Sequence, residues 1–204
     1  MSRGKSKGNA FEREIAKQLS VWWTAGERND VFWRSQNSGA RATQRSNQNQ
    51  TTAGQYGDIC AADPIGKSLT DLMIIEIKRG YNNQTMHAQV DKMGYHAETQ
   101  WDKWISNLLE MSDSSGVPYW CVIHKRDQRE TMIWMPVELP REIDQRYKLS
   151  IRNCAPLIRA TCAFQSAEWE WEQELVGMLL IDFLEYVKPE TIIRLSNDVR
   201  KNES

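Results

Sequence analysis

Cysteine and histidine are sparse in this chain. The four cysteines, Cys60, Cys121, Cys154 and Cys162, form no C-x-x-C pair and no regular framework. That speaks against a zinc ribbon or a disulfide scaffold and for reduced thiols. His87, His96 and His124 are scattered with no i, i+4 pair, so a His/Cys metal centre has little to stand on. No apolar run approaches the ~20 residues needed to cross a bilayer. The opening Met-Ser-Arg-Gly-Lys-Ser-Lys lacks the apolar segment of a signal peptide. A cytoplasmic protein without a membrane partner is expected, and no internal repeat is visible.

With 204 residues, 40% hydrophobic and 26% charged, the composition is that of a soluble globular protein large enough for a real core. The net charge of -1 conceals an asymmetry. Residues 1–50 hold nine basic side chains (Arg3, Lys5, Lys7, Arg13, Lys17, Arg28, Arg34, Arg41 and Arg45) against Glu12, Glu14, Glu27 and Asp30, so the front carries +5 and the remainder -6. A basic front suits a polyanionic partner, although a short basic tail also serves solubility.

Phe11, Ile15, Leu19 and Trp22 recur at helical spacing until Gly26, with Asn9 placed as N-cap and Glu12 at capping-box distance from it. Val31–Arg34 reads as a strand. The stretch 36–57 is almost free of apolar residues; it suits either disorder or a segment that orders on a phosphate backbone through Arg41 and Arg45. Asp58–Ala62 reads as a second strand, followed by a turn at 63–67. Residues 84–111 read as a helix with a stripe of Trp101, Trp104, Ile105, Leu108 and Leu109, and 117–124 with 131–137 as a hairpin around a basic turn. An irregular stretch follows. A last helix is expected over 167–187, acidic at its start and ended by Pro189, with a frayed tail from Asn197.

The most informative stretch is Leu72–Gly80, an apolar strand that turns acidic and then basic. Alternation puts Glu76 and Lys78 on one face and Ile75 and Ile77 on the other. Burying such a pair is costly unless it lines a cleft or meets a metal. The triplet alone is weak, since 27 acids among 204 residues give roughly 1.5 acid-x-Lys triplets by chance. Asp58 opens a neighbouring strand and Glu12 stands on the first helix. Three carboxylates with one lysine favour Mg²⁺, with Mn²⁺ a substitute, and suit metal-assisted phosphodiester hydrolysis.

Those residues carry a resemblance. Gly57-Asp58 followed by Glu76-Ile77-Lys78 resembles the signature of the PD-(D/E)XK nuclease superfamily. Lys7-Gly8-Asn9-Ala10-Phe11-Glu12-Arg13-Glu14 is similar to the opening of archaeal Holliday junction resolvases and related phage endonucleases. Arg34 followed by Ser38-Gly39 resembles their arginine strand and serine-glycine loop. The resemblance covers roughly residues 5–137. It implies that Asp58, Glu76 and the Ile77 backbone carbonyl bind the divalent metal and that Lys78 orients the nucleophilic water. Glu12 would complete the site through water or a second ion, and Ser38 would assist at the scissile phosphate. The sequence departs from the pattern in having Gly57 where the family has proline, in a longer loop before Asp58, and in an acidic region after residue 140.

The expected fold is accordingly α/β (α+β): a restriction-endonuclease-like core over 1–140, with a central mixed sheet flanked by helices, and a C-terminal helical extension over 141–204. The expected function is a Mg²⁺-dependent DNA endonuclease acting on branched DNA, with Lys5, Lys7, Arg13, Arg34, Arg41 and Arg45 on the DNA. It would work as a homodimer in a prokaryotic or phage-infected cell. The long C-terminal helix or the Trp101–Leu109 stripe would supply the dimer face, and the acidic C-terminal region a further protein contact. A restriction-like or repair nuclease on duplex or single-stranded DNA is the alternative within enzymes. A DNA-binding protein without turnover is the alternative outside them.

Overall fold

The computed structural model describes residues 3–35, 56–89, 91, 97–148, 156–165 and 170–202. The first element is α1 (Arg3–Trp23), followed by β1 (Phe32–Arg34), β2 (Ile59–Ala61), α2 (Lys67–Leu72) and β3 (Met73–Arg79). Then come α3 (Gln100–Ser115), the hairpin β4 (Tyr119–Lys125) and β5 (Met132–Pro136), and α4 (Glu138–Tyr147). The chain closes with β6 (Leu157–Gln165), β7 (Glu170–Leu179), α5 (Leu180–Tyr186) and α6 (Pro189–Asn202). This is a mixed α/β fold consistent with a restriction-endonuclease-like core.

The main sheet has the order β3-β4-β5-β7-β6, and β1 pairs with β2 in a separate antiparallel ribbon. Only β3 and β4 run parallel; the other pairs of the main sheet are antiparallel. Period-2 alternation divides the core between the two faces of this sheet. Ile75, Ile77, Ile123, Met135, Val176 and Met178 join α1 and the C-terminal helices on one face. Ile74, Trp120, Val122, Trp134 and Leu175 meet Trp101, Trp104, Ile105 and Leu108 of α3 on the other.

Several local expectations are corrected. The helix α1 starts at Arg3, so Asn9 lies inside it and caps nothing. The segment expected to be a turn before β3 holds a 3₁₀ turn (Pro64–Gly66) and then α2. The helix expected from residue 84 begins at Gln100, where Thr99 Oγ1 accepts from the Asp102 amide at 3.2 Å and Asp102 Oδ2 accepts from the Thr99 amide at 2.6 Å. That reciprocal cap is a sharper start signal than the apolar stripe. Its tryptophans Trp101 and Trp104 are buried in the chain's own core, so the stripe is not a dimer face.

Among the described residues, the region expected to be irregular after Pro136 holds α4 and β6. The expected helix over 167–187 is mostly the strand β7, followed only at its end by the short α5. Glu170, Glu172 and Glu174 alternate with Trp171, Gln173 and Leu175, and a period of two fits a ladder against β5 and β6 better than a helix face. Residues 141–204 therefore include two strands of the main sheet as well as helices. Pro189 starts α6 instead of ending a helix, and α6 continues to Asn202 where fraying was expected. Proline is well suited to a first helical turn, where its missing N–H has no partner to lose.

Gly177 fixes where β7 must lie. It pairs with Trp134 of β5, and a Cβ there would come within 2.5 Å of the Trp134 ring. Gly177→Ala is expected to destabilise the fold by ~1–3 kcal/mol through overpacking. That corresponds to a fall in melting temperature of roughly 2–4 °C for each kcal/mol. Thermal unfolding followed by circular dichroism checks it, and an unchanged melting temperature would refute the β5–β7 contact.

Candidate active site

The site forms at the free edge of β3, the strand that ends the main sheet. Glu76 and Lys78 leave β3 on the α3 face, where Lys78 Nζ sits 5.9 Å from the Trp104 ring centroid. Lys78 also donates a hydrogen bond to Glu76 Oε1. Both side chains are only 17% exposed, so the pair lies in a part of the protein where water screens little.

Asp58 is 4% exposed and is tied to the β3 edge by two bonds. Its amide donates to the Ile75 carbonyl at 2.8 Å, and its Oδ2 accepts from the Ile77 amide at 2.7 Å. The second bond leaves Asp58 Oδ1 as the oxygen not used by Ile77. In an extended strand a residue's N–H and C=O emerge on the same edge, so the Ile77 carbonyl points to the side that holds Asp58. Upstream, the Ser35 amide donates to the Asp58 carbonyl at 2.8 Å, which places Asp58 next to Arg34 at the end of β1.

Glu12 approaches from α1, on the other face of the sheet. Its Oε2 accepts from Arg34 Nε at 2.7 Å, while Arg34 Nη2 donates to Asn9 Oδ1 at 3.1 Å. Asn9 and Glu12 share a guanidinium instead of forming a capping box. This network is legible only once β1 is known to pack on α1, which the Phe32 amide does by donating to Ser20 Oγ at 2.9 Å.

The electrostatics follow from these positions. Burial pushes the Glu76 carboxyl up to about 7, and the charges of Asp58 and Glu12 push the same way, against the relief given by Lys78. Burial also works against the Lys78 ammonium, but Glu76 and Asp58 outweigh it and raise its pKa. Three mutually repelling carboxylates at one edge are what a cation would relieve.

A divalent metal can be tested against this donor set. Among the described residues, no three His, Cys, Asp or Glu side chains converge as metal ligands, and Glu12 is committed to Arg34. Two carboxylates and one backbone carbonyl on one edge are still a hard, oxygen-only set. That fits an ion which takes one or two carboxylates and leaves the rest to water and substrate phosphate. The residues present therefore fit a divalent cation held by Asp58 and Glu76.

A family model described as "Phage putative PDDEXK endonuclease" matches residues 3–194. The chain belongs to this phage putative PDDEXK endonuclease family. No curated protein and no solved structure matches it. The structure explains why glycine stands at position 57. Its φ is +74°, which proline's ring forbids, and a Cβ would stand 2.6 Å from the Ile75 carbonyl oxygen. In this endonuclease-family chain only glycine brings Asp58 so close to β3.

The remaining residues expected at the site divide. Ser38, Arg41 and Arg45 lie outside the described residues, and Lys5 falls in the first turns of α1. Lys7 Nζ is 2.5 Å from Asp127 in the β4–β5 turn, and Arg13 is exposed on α1. Arg79 and Lys125, which sequence reasoning did not single out, lie 5.5 and 5.9 Å from the Phe11 ring centroid. They add basic groups at the C-terminal ends of β3 and β4. No local signal marks them, because Phe11 joins them only in three dimensions. Among the described cysteines, Cys60, Cys121 and Cys162 form no disulfide.

The raised Glu76 carboxyl has a sign that can be checked. Between the ordinary carboxylate value of 4.5 and about 7, native Glu76 keeps a proton that the unfolded chain has released. Its contribution to the stability of metal-free protein therefore falls as pH rises through that window. Melting temperatures in chelator across that range, for wild type beside Glu76→Gln, are expected to show a slope in the wild type that the variant lacks. Parallel curves would refute the shift.

Proposed function

We propose that this protein is a divalent-metal-dependent DNA endonuclease, with Mg²⁺ as the working ion and Mn²⁺ as a substitute, and that it acts on branched DNA. The observation that carries the proposal is the convergence of Asp58, Glu76 and Lys78 at the β3 edge. When bound, the metal supplies Lewis-acid polarisation of the scissile phosphate. Asp58 and Glu76, with the Ile77 carbonyl, are the residues that hold it.

Lys78 is assigned the water. Held as an ammonium by Glu76 and Asp58, it donates hydrogen bonds and does not accept protons, so its part is to orient the nucleophile and to neutralise charge building on the phosphate. Glu12 is a positioning residue: pinned by Arg34, it adds negative potential at Glu76, and the family resemblance assigns it a contact to the site through water or a second ion. Lys7, Arg79 and Lys125, gathered around Asp127 and Phe11, are the basic groups assigned to a phosphate backbone, with Lys5, Arg13, Arg34, Arg41, Arg45 and Ser38 assigned to the same substrate by the sequence reading. Two such sites, in a C2 dimer, are needed to cut both strands of a junction symmetrically.

Incubation of the purified protein with Mg²⁺ and linear, nicked, single-stranded and four-way-junction DNAs tests the proposal. The four-way junction is expected to be cut fastest, and Lys78→Ala to lower cleavage by roughly 10²–10⁴-fold, the span typical of a positioned catalytic group. Preference for linear duplex would favour a restriction-like enzyme. Binding without cleavage of any substrate would sink the nuclease reading, and undiminished cleavage by Lys78→Ala would sink the site assignment.

A further inference from the structure

The C-terminal end of β3 carries more chemistry than the metal edge uses. Lys78 leaves it on the α3 face beside Trp104, and Arg79 lies over the Phe11 ring on the α1 side. Past both stands Tyr81. Its ring packs edge-on against Trp104, with centroids 5.0 Å apart and an interplanar angle of 81°, and Lys78 Nζ is 5.9 Å from the centroid of that same Trp104 ring. One buried indole therefore holds the lysine and the tyrosine as neighbours. The phenol is near enough to act on the Lys78 ammonium electrostatically.

Tyr81 is exposed and yet fixed. It is 42% exposed, against 4% for the Trp104 it packs on, while its backbone and its neighbours are tied to β4 and to the hairpin turn. The Gly80 amide donates to the Lys125 carbonyl at 3.2 Å, the Gln84 amide donates to the Tyr81 carbonyl at 3.0 Å, and the His124 ring hydrogen-bonds to the Tyr81 backbone. Asn82 is bound twice by the turn: its Nδ2 donates to Asp127 Oδ2 at 3.0 Å, and its Oδ1 accepts from the Asp127 amide at 2.7 Å. An aromatic side chain on a free loop would have to be ordered as its ligand bound. This one is ordered beforehand, which spares that entropic cost.

Its neighbours set what such a residue can do. Lys78 is only 17% exposed, so a ligand that reaches its ammonium from solvent has the exposed phenol beside it. A phosphodiester arriving there brings oxygens that accept hydrogen bonds and donate none. A phenol donates to such an oxygen without adding a charge of its own, and tyrosine is among the side chains that hold backbone phosphates in protein–DNA complexes. The strand end then presents two cations, Lys78 and Arg79, and one neutral donor. A base stacked on the ring is the competing use, and it needs the ring but not the hydroxyl. The ammonium favours the first use, because it draws the phosphate and not the base to this corner.

We propose that the Tyr81 hydroxyl donates a hydrogen bond to a backbone phosphate of the DNA strand held at Lys78, which makes Tyr81 a substrate-positioning residue. The proposal rests on the nuclease reading for the identity of the substrate, and it adds a contact that the metal edge does not supply. A contact to the backbone carries no base preference. It sets instead where the strand lies relative to Lys78.

The test measures binding of a fluorescent four-way junction to the full-length protein in chelator, so that neither metal nor cleavage enters. Tyr81→Phe keeps the ring and its packing on Trp104. It is expected to melt at the wild-type temperature and to bind roughly tenfold more weakly, the size of a lost hydrogen bond to a charged group. Junctions that each carry one uncharged methylphosphonate in place of a phosphate then locate the contact. At one position the replacement is expected to weaken wild type and to leave Tyr81→Phe at the affinity it already had. Equal binding by wild type and Tyr81→Phe overturns the proposal; if Tyr81→Ala alone then binds weakly, the ring is a stacking platform or a prop for Trp104. Methylphosphonates that weaken both proteins alike at every position overturn it as well. Wild type that shows the expected pattern but cuts no DNA in Mg²⁺ refutes the nuclease reading alone, and wild type that cuts while Tyr81→Phe binds unchanged refutes the Tyr81 contact alone.

Discussion

Everything at the candidate site depends on how one carboxylate is fastened to a strand edge. Unpaired edges of sheets attract other strands and are normally blunted. Here the exposed edge of β3 is used as a mounting rail: the Ile75 carbonyl takes the Asp58 amide, and the Ile77 amide takes the Asp58 carboxylate. Asp58 is thereby positioned by backbone on both sides, and no freely turning side chain sets its distance from Glu76. Gly57 is the steric condition for this arrangement, since any Cβ at that position would collide with the Ile75 carbonyl.

Fastening Asp58 so close to Glu76 has an electrostatic cost. Glu76 keeps its proton up to about 7 in the absence of a cation, chiefly because it is buried and then because Asp58 and Glu12 repel its charge. Lys78 answers part of that field from two residues along the same face, and in doing so becomes a firmer ammonium. Arg34 answers another part by holding Glu12. On the proposed reading, a divalent ion would gain by entering this field, with the Lys78 ammonium beside it. Stability sacrificed at this edge is recovered in two apolar layers, one on each face of the sheet.

Legibility varied with the physical origin of each signal. The strand over 73–79 was readable because burial on both faces leaves a run of apolar residues, and the charged pair inside it stands out. The hairpin β4–β5 was readable from two β-rich runs around a polar turn. The helical period continues backwards past Thr99, so periodicity alone does not mark the start of α3, which the cap of Thr99 with Asp102 does. The segment of β7 reads as a helix because acids before an apolar stretch suit a helix N-terminus, while the alternation of Glu170, Glu172 and Glu174 is the signal that fits the strand. At the candidate site, Asp58, Glu76 and Lys78 stand out from the strand pattern and the family resemblance and are brought to one edge, whereas the partnership of Glu12 with Arg34 has no local signal.

By itself the sequence determined the alternation that puts Glu76 and Lys78 on one face, the apolar stripes of α1 and α3, and the order of Glu12, Asp58, Glu76 and Lys78 along the chain. Periodicity is a property of the local backbone, so these features survive without tertiary information. Only the tertiary structure decided that β7 enters the sheet between β5 and β6, that Arg34 reaches back to Glu12, and that His124 stands beside Lys78. Each of these is a contact between distant segments. No local period encodes them, because they exist only when the sheet pairs its strands and both of its faces are covered.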